Sequence, residues 1–187
     1  MKNILYCLFV LVCLAACRKE DKEKVEIFLP GQQLFGSGTA LKIVPGVGKV
    51  AWEASGMAII DKPNFFNVRF GTVNSNNEKR EGLSINEIPL TSGRYAIQPG
   101  GPNNNSDGVT GAGYFRSLAD GDVAGASYYA MDYDNPANFI YVAVDTVAKT
   151  ARGTFSVAFK LFTPNSSQDP PETVIFKDGS FGVRFFR

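Results

Sequence analysis

Side chains able to do chemistry are sparse in this chain, and the first to consider are two acidic pairs, Asp120-Gly121-Asp122 and Asp132-Tyr133-Asp134-Asn135. Calcium takes roughly six to eight oxygen ligands, and carboxylates two residues apart in a loop can supply some of them, so Asp132 and Asp134 are candidate metal ligands. Neither stretch continues into a full EF-type loop. Turn formation is the competing account, because Asp and Asn bond their own backbone and tolerate left-handed geometry. A hydrolase working through two carboxylates would draw on the same four acids, Asp120, Asp122, Asp132 and Asp134. Other catalytic routes lack their parts. The chain has no His, which removes the commonest general base, the commonest zinc ligand and the Ser-His-Asp arrangement together. No Ser stands in a nucleophile elbow or at the spacing of a Ser/Lys acylating pair. Gly46-Val47-Gly48-Lys49-Val50 has Ile43 where a phosphate loop needs its first Gly, and Val50 where it needs a hydroxyl, so it reads as a hairpin turn. Gly36-Ser37-Gly38 and Gly111-Ala112-Gly113 each lack the third Gly of a dinucleotide fingerprint. The expectation is a non-catalytic chain that carries no cofactor.

Aromatic residues are the second candidate set, with 15 Phe and 7 Tyr among 187 residues. Tyr128 and Tyr129 are adjacent, so on a strand they face opposite ways. Phe139 and Tyr141 lie opposite the apolar face that Ile140, Val142 and Val144 form on their own segment. Flat rings flanked by Asn, Asp and Arg can stack on sugars, which makes Tyr128, Phe139 and Tyr141 candidate ligand contacts. The competing account covers both faces of a central strand with loops or neighbouring strands. Trp52 reads as a core or rim anchor.

The elements that must position these residues announce themselves by period-two alternation bounded by Gly, Asn, Asp and Pro clusters. Phe66, Val68 and Phe70 alternate with Asn67 and Arg69, and Leu83 and Ile85 with Ser84 and Asn86. Phe155, Val157, Phe159 and Leu161 oppose Thr154, Ser156, Ala158 and Lys160, and Phe181, Val183 and Phe185 close the chain. Further strands are expected at Leu41 to Val44, Lys49 to Ala54, Met57 to Asp61, Tyr95 to Gln98, Tyr114 to Ser117, Ser127 to Tyr133, Asn138 to Thr146 and Thr173 to Phe176. No segment carries a sustained helical pattern. Short antiparallel strands with one wet and one dry face must pack sheet on sheet or close on themselves, so the fold class is all-β: an antiparallel sandwich, jelly-roll-like, or a flattened barrel. The Asn/Gly-rich run from Gln98 to Gly111 is a surface loop by composition, and Thr163 to Pro171 is a second polar turn.

The amino terminus has the order of an export signal. Lys2 precedes an unbroken apolar run from Ile4 to Leu14, followed by Leu14-Ala15-Ala16-Cys17. The run is far shorter than the roughly 20 residues of a comfortable membrane span. The tetrapeptide resembles the lipobox of bacterial lipoproteins, which implies cleavage after residue 16, lipidation of Cys17, and a membrane anchor without a spanning helix. An ordinary cleaved signal is the alternative. Arg18 to Lys24 is a mixed-charge tether, so residues 1–16 are read as signal, 17–24 as lipidated Cys and tether, and 25–187 as one domain. All 3 Cys lie within this amino-terminal stretch, so the domain must rest on its core without disulfides. With 19 Lys+Arg against 18 Asp+Glu and arginines scattered singly, nucleic acid is not an expected partner.

The run from Asn138-Phe139-Ile140 to Asp145, then Gly153-Thr154-Phe155-Ser156, Thr173-Val174-Ile175 and Asp178-Gly179-Ser180-Phe181, resembles the C-terminal half of small Bacteroides-type lipoproteins classed as domains of unknown function. Trp52 with Ala54, and Gly93-Arg94-Tyr95 after Ile88-Pro89-Leu90, look like that family's earlier landmarks. The resemblance implies an all-β sandwich on a lipid anchor and carries over no catalytic residue; the Asn/Gly loop departs from it. Asp145-Thr146-Val147 also resembles the short O-glycosylation acceptor of Bacteroides-type bacteria, although Thr146 ending a strand explains it as well. The expected function is a lipid-anchored module of the outer membrane that binds a glycan or an envelope protein. A carboxylate-dependent glycan hydrolase and an adhesive subunit pairing through an edge strand are the alternatives.

Overall fold

The computed structural model describes residues 35–98, 108–117, 125–165 and 169–186. They form ten strands: β1 (Gly36–Val44), β2 (Gly48–Lys62), β3 (Phe65–Val73), β4 (Lys79–Pro89), β5 (Gly93–Ala96), β6 (Gly111–Arg116), β7 (Ser127–Met131), β8 (Phe139–Asp145), β9 (Thr150–Thr163) and β10 (Thr173–Phe186). The order across the sheet is β1-β10-β2-β3-β4-β6-β7-β9-β8-β5, and β1 with β2 and β9 with β10 pair in addition. Those extra pairings close eight strands into a barrel, leaving β8 and β5 as an extension beyond it. Neighbouring strands are antiparallel except where the end of β10 meets β2, with Phe185 beside Ala58. The protein is therefore all-β, and among the expected architectures the closed barrel describes it best.

β9 makes the extension possible. One of its edges pairs with β10 along almost the whole strand. The other edge pairs first with β8, from Thr150 to Ser156, and then with β7, from Phe159 to Thr163. At this fork a backbone group of β9 would lose its ladder partner. Asn138 replaces it: its Oδ1 accepts from Ala158 N at 2.9 Å while its Nδ2 donates to the Asp132 carbonyl at 2.7 Å. Asn138 is accordingly buried, as a polar side chain can be when its bonds are made.

Two expected strand breaks do not occur. Lys49 to Ala54 and Met57 to Asp61 belong to the single strand β2, and Thr173 to Phe176 continues to Phe185 within β10. The residues that looked like punctuation include glycines beneath aromatic rings. A Cβ on Gly56 would lie 2.6 Å from the ring of Phe70, and one on Gly179 would lie 2.6 Å from the ring of Phe155. Close approach of a ring to backbone is a standard reason for glycine inside a strand. β10 is bulged between Phe176 and Gly179, and there Asp178 takes a φ of 52°, a left-handed conformation that Asp tolerates better than most residues.

Inward positions fill the barrel. Phe66, Phe155, Phe159 and Phe176 are fully buried with Leu83, Ile85, Ile88, Ile140 and Val142. Phe70 stacks on Phe155 with centroids 5.9 Å apart. Trp52 packs edge-on against Phe176 at 5.0 Å and Phe70 at 6.1 Å, so it is a core residue. Burial of each such side chain contributes about 1.5 to 3 kcal/mol.

Candidate ligand-binding face

Register across β5, β8, β9, β10 and β1 sets the outer surface out as rows, because directly paired residues point to the same side of a sheet. One row runs Arg94, Tyr141, Thr154, Ser180, Thr39. The next runs Ala143, Arg152, Gly182, Ser37, and the one beyond it Asp145, Thr150, Arg184. On the far side of Tyr141, Ala96 pairs with Phe139, and Phe139 with Ser156. Inward neighbours alternate with these residues, Ile140 and Val142 on β8 being completely buried.

Within this face the candidates Phe139 and Tyr141 come together. The Arg94 guanidinium lies over the Phe139 ring, 4.7 Å from its centroid, close enough for a cation–π attraction. A shallow pocket of about 460 Å³ opens beside them, lined by Arg94, Ala96, Pro136, Asn138 and Phe139. Tyr141 is 49% exposed. Beyond it lies an open groove of about 760 Å³ whose lining includes Ala143, Asp145, Thr150, Arg152, Gly182 and Arg184. Tyr141 lines neither depression, but its position on β8 falls between Phe139, which lines the first, and Ala143, which lines the second.

Tyr128 does not join them. It faces outward, 42% exposed, while adjacent Tyr129 is buried, as adjacency on a strand requires. Its partner on β9 is Thr163, whereas that of Tyr141 is Thr154; nine residues of strand separate them by roughly 30 Å. Tyr128 instead sits beside Phe115, with centroids 6.2 Å apart, and Lys79 caps Phe115 at 4.8 Å.

Asp132 and Asp134 lie near one ammonium. Lys160 Nζ is 2.9 Å from Asp132 Oδ1 and 3.9 Å from Asp134 Oδ2. The hydrogen bond to Asp132, and then its charge, hold the Lys160 pKa above the ordinary range. Among the described residues no third Asp, Glu, His or Cys joins them to make a metal site. Asp120, Asp122 and Cys17 lie outside the described residues, as does most of the Asn/Gly loop. The ends of that loop are tied: Gln98 N donates to the Thr110 carbonyl at 2.8 Å, and Gly108 N to Glu87 Oε2 at 2.7 Å.

A polar cluster that sequence reading missed sits inside one end of the barrel. Glu81 is buried and accepts from Trp52 Nε1 at 2.8 Å, and it pairs with Lys42. Tyr114 hydrogen-bonds the same carboxylate; burial first, and then that charge, raise its pKa far above the ordinary tyrosine range. Burial also raises the pKa of Tyr129, against an opposing effect from Arg116. The sequence signal was present, because Glu81 shares the parity of Leu83 and Ile85 and so occupies an inward position. Carboxylate, ammonium, indole and phenol satisfy one another here, which is what a buried charge requires to persist.

No protein-family model, no curated protein and no solved structure matches the chain.

Proposed function

We propose that this protein is a lipid-anchored module of the cell envelope that binds saccharides without catalysis, through the outer face of β8 and β9. The observation that carries the reading is Tyr141: a half-exposed ring on a paired strand, flanked in register by Arg94 and Thr154, with depressions lined by Phe139 on one side of it along β8 and by Ala143 on the other. An apolar ring face with hydrogen-bonding groups at its rim suits a sugar, whose rings present CH faces and hydroxyl edges. Placement on paired strands holds the platform with little conformational cost on binding. The anchored location rests on the apolar run and on Leu14-Ala15-Ala16-Cys17. Anchoring keeps the module beside envelope glycans and raises their effective concentration.

Hydrolysis by paired carboxylates finds less support, because Asp132 and Asp134 share the ammonium of Lys160 instead of facing one another across a cleft. Two experiments test the reading. Titration of soluble oligosaccharides into the full chain in detergent should give saturable binding that Tyr141→Ala weakens about tenfold or more; absence of binding to any saccharide would refute the function. Cys17→Ala should release the protein from the membrane fraction, and continued sedimentation with membranes would contradict lipidation.

A further inference from the structure

Building on the saccharide reading, we infer that the face selects anionic sugars, those carrying a carboxylate such as uronic acids, with Arg152 and Arg184 recognising the charge beside the Tyr141 platform.

The argument starts from a local imbalance in a chain whose formal net charge is only +1. Arg152 and Arg184 both line the groove beyond Tyr141, and both are exposed. Among the described residues neither forms an ion pair or a side-chain hydrogen bond. The single acid lining the groove is Asp145, and its Oδ1 already accepts from Val147 N at 3.0 Å and Ala148 N at 2.8 Å in the turn after β8. The groove therefore offers two guanidiniums against one carboxylate, that of Asp145, one of whose oxygens is already engaged by the turn. Interior charges of the same protein behave otherwise, Lys42 being paired with Glu81.

Geometry places these charges where a stacked sugar would meet them. Arg152 pairs with Ala143 and is thus a diagonal neighbour of Tyr141, a relation of roughly 7 to 8 Å that long side chains span. Arg184 is in turn a diagonal neighbour of Arg152 across β9 and β10. Between them lies Gly182, above which a Cβ would meet no atom within 4 Å. Missing side chains at Gly182, and short ones at Ala143 and Ser37, leave room for a ring beside the guanidiniums. Guanidinium is the cation best suited to the purpose, since its planar donors match both oxygens of a carboxylate.

The test uses the full chain in detergent, titrated with tetragalacturonate and a hyaluronan tetrasaccharide and with the methyl esters of both, which keep the rings and remove the charge. An acidic probe should bind at least tenfold more tightly than its ester, and raising salt from about 50 mM to about 500 mM should erase most of that preference. Arg152→Gln combined with Arg184→Gln should bring acid and ester to the same affinity while leaving ester binding in place. Gly182→Leu, whose Cβ would meet no atom within 4 Å, adds bulk to the groove without changing its charge and should weaken acid and ester alike at unchanged melting temperature. Equal affinity of wild type for acids and esters, with Tyr141 still required, overturns the anionic preference and leaves the saccharide reading standing. Failure of all four probes, with neutral sugars still bound through Tyr141, overturns the preference as well; failure of every saccharide overturns both. Phosphatidylglycerol vesicles form a last arm: binding to them that is lost in the double arginine variant, without acidic-sugar preference, would assign the arginines to a lipid surface and reject the inference.

Discussion

The barrel interior around Trp52 and the outer face around Tyr141 are built from the same residue types and put them to opposite use. Inside, Glu81 gathers Trp52 Nε1, Lys42 and the Tyr114 hydroxyl, so that aromatic bulk and polar tips are consumed by one another. Outside, Tyr141 presents half its surface to solvent, and Arg152 and Arg184, one and two diagonal steps away on the same face, have no partners among the described residues. The difference follows from what each site must offset. A charge withdrawn from water loses several kcal/mol of hydration and persists only when its bonds are replaced, whereas an exposed guanidinium keeps its water and remains available to a ligand. On the proposed reading, stability and recognition rest on separate regions, the polar cluster on β1, β2, β4 and β6 and the outer face on β8, β9 and β10.

That separation breaks or sharpens under substitution. The largest effect belongs to the interior: Phe155→Ala should cost about 3 to 5 kcal/mol, read as a fall in the urea midpoint, because the ring is buried between Phe70 and Phe181. A negligible change would remove Phe155 from the core. An intermediate effect depends on pH. Folding raises the Tyr114 pKa, so the folded protein keeps a proton that the unfolded chain sheds above about pH 10. The stability this provides is complete below that pH and declines as pH rises toward the folded value, by about 1.4 kcal/mol per pH unit. Tyr114→Phe should flatten the alkaline limb of a pH–stability profile, and an identical limb in the variant would show that the phenol titrates freely. The smallest effect belongs to the outer face: Tyr141→Ala should shift stability by less than about 0.5 kcal/mol while weakening saccharide binding about tenfold or more. A loss of stability as large as that of Phe155→Ala would mean that the two surfaces are not separate.

Much of this contrast was legible along the chain, and the remainder was not, for identifiable reasons. Opposite faces for Tyr128 and Tyr129, and an outward position for Phe139 and Tyr141, follow from the two-residue period alone. Grouping Tyr128 with Tyr141 did not follow, because their distance depends on where β7 and β8 each meet β9. Gly56 and Gly179 looked like breaks because the rings they accommodate, Phe70 and Phe155, come from other strands. Arg152 and Arg184 drew no attention as isolated arginines; only pairing of β8, β9 and β10 brings them around Gly182. Glu81 could have been flagged by parity, but its partners Lys42, Trp52 and Tyr114 come from three other strands.

By itself the sequence determined that the chain is all-β and which side of each strand is dry, since alternation is a local property that any strand must obey. It also determined the absence of His chemistry. Tertiary structure alone decided that the strands close into a barrel, that β9 divides its edge between β7 and β8, and that particular rings, glycines and arginines meet. Those outcomes depend on register between segments far apart in the chain, and a one-residue slip would exchange the faces while leaving every local pattern intact.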